Sequence, residues 1–202
     1  MNTFMKKIFI ASKNKGKVEE IRSYLTGFGF EIFSLLDSPE IPDVAETGSS
    51  FEENALLKAK AVYDVVNIPV LADDSGLEVD ALGGSPGIFS ARFSGVAATD
   101  EENNLKLLEE LKNLPLEKRT ARFICVLVLY DGMNSRYFDG ACEGKIAFSP
   151  SGHNGFGYDP LFIPAGYEQS FGELGYSVKS KISHRAKALL SLKKFLDLEK
   201  SM

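Results

Sequence analysis

The chain has 202 residues, 44% of them hydrophobic and 25% charged, with a formal net charge of −5. That length suits a single domain, residues 1–202, with a core of useful size, built as one sheet-centred body or as two lobes. The acidic balance argues against a general nucleic-acid binder, which needs a basic excess to neutralise phosphates, and the longest apolar runs are too short to span a bilayer.

The two cysteines, Cys125 and Cys142, and the two histidines lack metal-type spacing, so structural zinc is not expected. Cys125 lies in an apolar run and reads as a small buried hydrophobe. Met1–Ala11 carries lysines and an apolar stretch, but no adequate h-region or small-residue cleavage site follows, so a cytoplasmic protein with no membrane partner is the default expectation.

In chain order, Ile8–Ala11 reads as a short buried strand. A polar turn leads into a helix from about Lys15 to Leu25, with Ile21, Leu25 and Phe28 at helical spacing and Val18 leading. Phe30–Leu36 is expected as a second strand. Asp37–Ser50, with two prolines, a glycine and several acids, is expected as a loop. Ser50-Phe51-Glu52-Glu53 fits a capping box, with Ser50 as N-cap and Glu53 reaching back. The helix behind it runs to about Val66 with an apolar stripe of Ala55, Ala59, Val62 and Val66, while Asn54 and Lys58, four apart, share another face. Pro69–Ala72 reads as a strand that ends at Asp73-Asp74-Ser75-Gly76, and Gly83–Gly95 as irregular. Thr99 caps a helix through Leu114, stopped by Pro115. Ile124–Tyr130 is apolar throughout, the mark of a strand covered on both faces. Asp131-Gly132 turns the chain toward a strand over Arg136–Phe148. A glycine-rich loop, Ser149–Pro160, follows, and Ser183 caps a last helix ending near Leu198. Helices and strands interleave, so a mixed α/β fold follows.

Four constellations carry chemistry. Ser12-Lys13-Asn14-Lys15-Gly16-Lys17 puts three lysines at a helix N-terminus that is already positive. A bound anion would offset that repulsion and use the free backbone N–H groups, so the stretch reads as a phosphate site or as a solvated basic turn. It is not a Walker A loop. Asp73 and Asp74 crowd two carboxylates at a strand end. They read as a Mg²⁺ site with a general base, or as an Asx-type turn. Glu46, in the acidic loop, and Lys58 fit a second metal ligand and a phosphate clamp. Gly152–Pro160 places Phe156 and Tyr158 among glycines that permit close approach to a flat ligand, and Ser183-His184-Arg185 lies downstream at a helix start.

The order of these blocks resembles the inosine triphosphate pyrophosphatase family. The blocks are Ser12-x-Asn14-x-x-Lys17; Glu46; Phe51-x-x-Asn54-Ala55-x-x-Lys58-Ala59; Ala72-Asp73-Asp74-Ser75-Gly76-Leu77; Pro86-Gly87-x-x-Ser90-Ala91-Arg92; Gly155-Phe156-Gly157-Tyr158-Asp159-Pro160; and Ser183-His184-Arg185-x-Lys187-Ala188-Leu189. They span about Ile8 to Leu196. The resemblance implies an elongated, two-lobed α/β fold with a long twisted mixed β-sheet flanked by helices, an active-site cleft between the lobes, and a homodimer. It implies hydrolysis of ITP, dITP and XTP to the monophosphate and pyrophosphate with Mg²⁺, which keeps deaminated purines out of DNA and RNA. By position, Ser12, Lys13, Asn14, Lys15, Gly16, Lys17 and Lys58 would hold the triphosphate. Glu46 and Asp74 would bind Mg²⁺, with Asp74 also the proton acceptor for water and Asp73 its support. Ser75 would touch the substrate. Phe156, Gly157, Tyr158 and Asp159 would form the nucleoside pocket, and Lys179, His184 and Arg185 would read the base. The family carries acids before the lysine matching Lys179; here the stretch is Leu174-Gly175-Tyr176-Ser177-Val178, which leaves Lys181 as the alternative. The rival readings are a pyrophosphatase with a different base preference and a nucleotide-binding module without chemistry.

Overall fold

The computed structural model describes residues 7–201, so Met1–Lys6 of the segment weighed as a leader lie outside it. The elements run β1 (Lys7–Ala11), α1 (Lys15–Leu25), β2 (Glu31–Ser34), α2 (Phe51–Val66), β3 (Val70–Val79), α3 (Asp100–Leu111), β4 (Thr120–Tyr130), β5 (Ser135–Ile146), β6 (Phe162–Pro164), α4 (Phe171–Leu174), α5 (Tyr176–Ile182) and α6 (His184–Ser201). The strands are ordered β2-β1-β3-β4-β5-β6 in one six-stranded sheet. β1 pairs parallel with both β2 and β3, Phe9 opposite Phe33 and Ile10 opposite Leu71, whereas β5 and β6 are antiparallel. The sheet is therefore mixed and flanked by helices, the α/β class expected from the alternation of elements.

The chain divides into two compact units. One comprises the chain up to Asp74, Val126–Asp139 and the chain from Ala188; the other comprises Ser75–Cys125 and Gly140–Lys187. In the first, β1 lies between two parallel neighbours, and its continuous apolar run is buried accordingly. Ile8, Ile10, Val18, Ile21, Ala55, Ala59, Val62 and Leu71 are all fully inaccessible. Val66, the last residue of the α2 stripe, is only half-buried. The core of the second unit is aromatic. Phe123 and Phe162 approach to 4.6 Å between ring centres and Phe162 and Phe171 to 5.5 Å, packed with Leu77, Leu107 and Leu111. Cys125 and Cys142 are free and buried, as the apolar context of Cys125 implied.

Local chemistry sets the element ends. Asn14 Oδ1 accepts the Lys17 N–H at 3.0 Å and starts α1. Ser34 Oγ donates to Asp37 Oδ2 at 2.8 Å, closing the chain into a turn and ending β2 two residues before Leu36. Ser50 Oγ accepts the Glu53 N–H, but the Glu53 carboxylate reaches back to the N–H and hydroxyl of Ser49, not to Ser50. Full capping boxes stand at Thr99 and Glu102, at the start of α3, and at Ser170 and Glu173, at the start of α4. Within Gly83–Gly95, Gly87–Arg92 forms a 3₁₀ turn. The largest departure is β3, which runs through Asp73-Asp74-Ser75-Gly76 to Val79 where a turn was expected.

α3 ends at Leu111, three residues before Leu114, and Arg119 explains the stop. The buried Arg119 guanidinium donates to the carbonyls of Leu111, Leu114 and Ala147 at 2.9–3.0 Å, satisfying acceptors that a helix C-terminus leaves open. Arg119→Ala would take that donor from the Leu114 and Ala147 carbonyls and leave the Leu111 carbonyl with only the Leu114 N–H. It is expected to lower unfolding stability by about 2–4 kcal/mol, read as a fall in the urea midpoint. An unchanged midpoint would show that water replaces the guanidinium without loss.

Candidate active site

In the first unit the acids and lysines form a compact charged cluster. Successive strand residues point to opposite faces, so Asp73 and Asp74 do not crowd each other as the sequence implied; each has its own lysine. Asp73 Oδ1 pairs with Lys17 Nζ at 2.6 Å, its side chain wholly buried. Asp74 Oδ1 accepts from Lys58 Nζ at 2.9 Å. The Lys58 ammonium also donates to Glu46 Oε1 at 3.0 Å and to the Asp73 carbonyl at 2.7 Å, so all three of its donors are engaged. Glu46 stands just before α2 in sequence, and the loop after it is fastened to that helix. Asn54 Oδ1 accepts the Gly48 N–H at 2.8 Å, and a Cβ at Gly48 would come within 2.8 Å of that oxygen.

Burial pushes the Asp74 carboxyl above the ordinary aspartate range, against the pull of Lys58. Burial opposes the Lys58 charge too, but there Asp74 and Glu46 prevail and hold the ammonium above its usual pKa. Asp74 is 5% exposed, and its Oδ2 is buried with no hydrogen-bond partner. An orphaned carboxylate oxygen beside a second carboxylate suits a hard cation. No group of three or more His, Cys, Asp or Glu side chains among the described residues is placed to hold a metal. Two carboxylates fit Mg²⁺, which keeps waters and shares phosphate oxygens, better than a metal needing an all-protein cage.

The second unit holds the aromatic group. Phe156 lies on the glycine-rich loop with Lys179 Nζ 4.4 Å and Arg185 Cζ 5.8 Å from its ring centre, distances at which a cation is attracted to a ring face. Asp159 Oδ2 accepts the Phe156 N–H at 2.8 Å and pairs with Lys179 at 2.5 Å. A Cβ at Gly155 would meet that oxygen at 2.0 Å, so only glycine fits there. Arg185, 1% exposed, donates to Ser75 Oγ at 2.9 Å. His184 stacks on Phe123 at 4.7 Å. Ser183 Oγ accepts the Ala186 N–H, as a cap for α6 should.

The structure thus gathers Lys17, Glu46, Lys58, Asp73 and Asp74 in one group, and Ser75, Phe156, Asp159, Lys179 and Arg185 in the other. Asp74 and Ser75, consecutive on β3, carry one residue of each. Lys179 is buried beside the Phe156 ring, whereas Lys181 is exposed. Lys13 turns to Asp43 at 3.1 Å, and Lys15 lies open to solvent, 3.9 Å from Glu19; neither joins the cluster. Ser12 Oγ accepts the Asn14 N–H at 3.2 Å, ordering the turn before Gly16. The Tyr158 ring packs in the core and its hydroxyl donates to the Ser90 carbonyl at 2.9 Å. Sequence reasoning missed Asp100 and Asn104 of α3, which bond the Gly157 backbone. The available signal was Asn103-Asn104 inside a helix, where asparagine is a poor former. A cavity of about 680 Å³ is bordered by Asp100, Asn104, His153 and Phe156.

The Ham1 family model matches residues 8–195. A dITP/XTP pyrophosphatase of Oceanobacillus iheyensis is 48% identical over 194 residues, 95% of this chain and 98% of that protein. One from Geobacillus kaustophilus is 51% identical over 189 residues, 93% of each chain. Among solved structures, the Staphylococcus aureus Ham1 protein superposes with a TM-score of 0.85 at 42% identity, covering 96% of this chain and 100% of that one. A HAM1 protein from Coxiella burnetii gives 0.87 at 39%, covering 96% and 99%. With nearly the whole length matched in sequence and in structure, the chain belongs to the Ham1 family.

Proposed function

We propose that this protein hydrolyses the triphosphates of deaminated purines, ITP, dITP and XTP, to the nucleoside monophosphate and pyrophosphate. The names of the relatives at 48% and 51% identity support the activity and the substrate class. The observation that carries the chemistry is the Lys58 ammonium bound at once by Glu46, Asp74 and the Asp73 carbonyl, beside the unpartnered Asp74 Oδ2. Substitution at phosphorus needs charge neutralisation and alignment more than covalent help. Lys17 and the free N–H groups at the start of α1 bind the triphosphate, with Lys58 adding its positive charge from where it holds Glu46 and Asp74, Ser12 and Asn14 shaping that turn, and Lys13, Lys15 and Gly16 at its rim. Glu46 and Asp74 would hold Mg²⁺, which would supply charge neutralisation and polarise the attacked phosphate. Asp74 Oδ2 takes the proton of the attacking water, and the raised pKa brings it nearer to working pH. Asp73 fixes Lys17.

Phe156 stacks on the base. Arg185, held by Ser75, donates to the 6-oxygen that hypoxanthine and xanthine carry and adenine lacks. Lys179 and Asp159 brace the ring, Gly157 lets the loop approach, and His184 keeps Arg185 in register. No helix among the described residues is long and apolar enough to cross a membrane. A cytoplasmic homodimer that binds no nucleic acid belongs to the same proposal; the family resemblance supports the dimer, and the net charge of −5 supports the lack of nucleic-acid binding.

The test is product analysis. ITP with Mg²⁺ should give IMP and pyrophosphate in equal amounts, and EDTA should stop the reaction. Orthophosphate in place of pyrophosphate would overturn the reaction type, and turnover undiminished by EDTA would overturn the metal assignment.

A further inference from the structure

The peptide of Gly157 is held on both sides by α3. Its N–H donates to Asp100 Oδ2 at 2.7 Å, and its carbonyl accepts from Asn104 Nδ2 at 3.0 Å. The N–H one residue earlier, on Phe156, is held by Asp159 at 2.8 Å. Phe156 is thus flanked by tethered backbone on both sides. Asn104 makes its bond against its own local interest. It is 7% exposed, its Oδ1 is buried with no hydrogen-bond partner, and asparagine disfavours a helix interior. An apolar residue would suit α3 better. Asp100 and Asn104 also border the cavity that Phe156 lines, so open space adjoins the ring if the tether is released.

We propose that Asp100 and Asn104 are positioning residues that clamp the Gly157 peptide and so hold the Phe156 ring in place for stacking on a purine base. This rests on the nucleotide reading of Phe156. The clamp acts on binding, not on the phosphates, because it touches only the loop that carries the ring. Asn104→Leu should therefore raise KM for ITP about ten-fold and leave kcat within about two-fold. Its thermal midpoint should be unchanged or higher, since the substitution removes a buried unpaired oxygen and adds a better helix former. Asp100→Ala should raise KM likewise, and Asp100→Asn, which keeps an acceptor, should restore part of the loss. A merely structural role would instead lower the midpoint and kcat together.

The chain contains no tryptophan, so Phe156→Trp introduces a single fluorophore at the ring position. IMP should quench it, and adding Asn104→Leu or Asp100→Ala should shift the quenching midpoint about ten-fold upward and lower the anisotropy of the free protein. Quenching by IMP with unchanged midpoint and anisotropy in the double variants, or an unchanged KM in the single variants, would overturn the clamp alone. No quenching in Phe156→Trp itself would overturn the stacking role on which the clamp rests.

Discussion

Asp74→Asn is expected to lower ITP turnover by about 10³-fold, within the range for loss of a general base. Asparagine has nearly the same shape, so the Lys58 ammonium keeps Glu46 and the Asp73 carbonyl as acceptors. What disappears is the oxygen that can accept a proton, and with it one of the two carboxylates assigned to the metal. The fold should survive. The Asp74 pKa is raised in the folded chain, so the folded state holds that proton more tightly than the unfolded state does. That site therefore contributes less to stability as pH rises from the unfolded-state pKa through the raised value, and it remains unfavourable at neutral pH. Removing the charge takes away that penalty but also one of the two carboxylates that hold the buried Lys58 ammonium, so the thermal midpoint of the variant should lie close to that of the parent. A folded Asp74→Asn protein with near-parental turnover would remove Asp74 from the chemistry.

Arg185→Ala is expected to reduce kcat/KM for ITP about 10²-fold more than that for ATP, because a donor aimed at the 6-oxygen meets only a donor on adenine. A buried arginine is also a structural residue, and some protein will be lost to misfolding. The ratio of the two substrates on one preparation is independent of the folded fraction and so reports base reading alone. Equal losses for ITP and ATP would show that Arg185 supports the loop or the fold without contacting the base.

The parts of this molecule legible in the sequence are those that local chemistry decides. Ser50, Thr99 and Ser183 mark helix starts because a capping side chain bonds the N–H three residues on. The β4 run reads as doubly covered because Ile124–Tyr130 is apolar without a break; its five central residues, 125–129, are buried and its two ends half-buried. Asp73-Asp74-Ser75-Gly76 resisted this treatment. Two acids and a glycine resemble a breaker, and what keeps them in strand is tertiary: one lysine from α1 for Asp73 and one from α2 for Asp74. The same holds for Tyr158, whose partner Ser90 is 68 residues away, and for Asn104, whose partner Gly157 is 53 away. The family-like order of motifs names Phe156 and Arg185, but only the fold shows Lys179 turned inward while Lys181 faces solvent. β6, α4 and α5 are too short to carry a period of their own. They are fixed by contacts such as Asn154 to the Gly172 carbonyl and Ser170 to the Ser151 carbonyl.

The most direct measurement is the rate of pyrophosphate release from ITP, XTP, dITP, GTP and ATP by the full chain with Mg²⁺. The expected result is fast release from the three deaminated-purine substrates and slow release from GTP and ATP. Comparable rates across all five, or release confined to the unmodified nucleotides, would contradict the substrate assignment, and no release from any of them would contradict the roles given to Glu46 and Asp74.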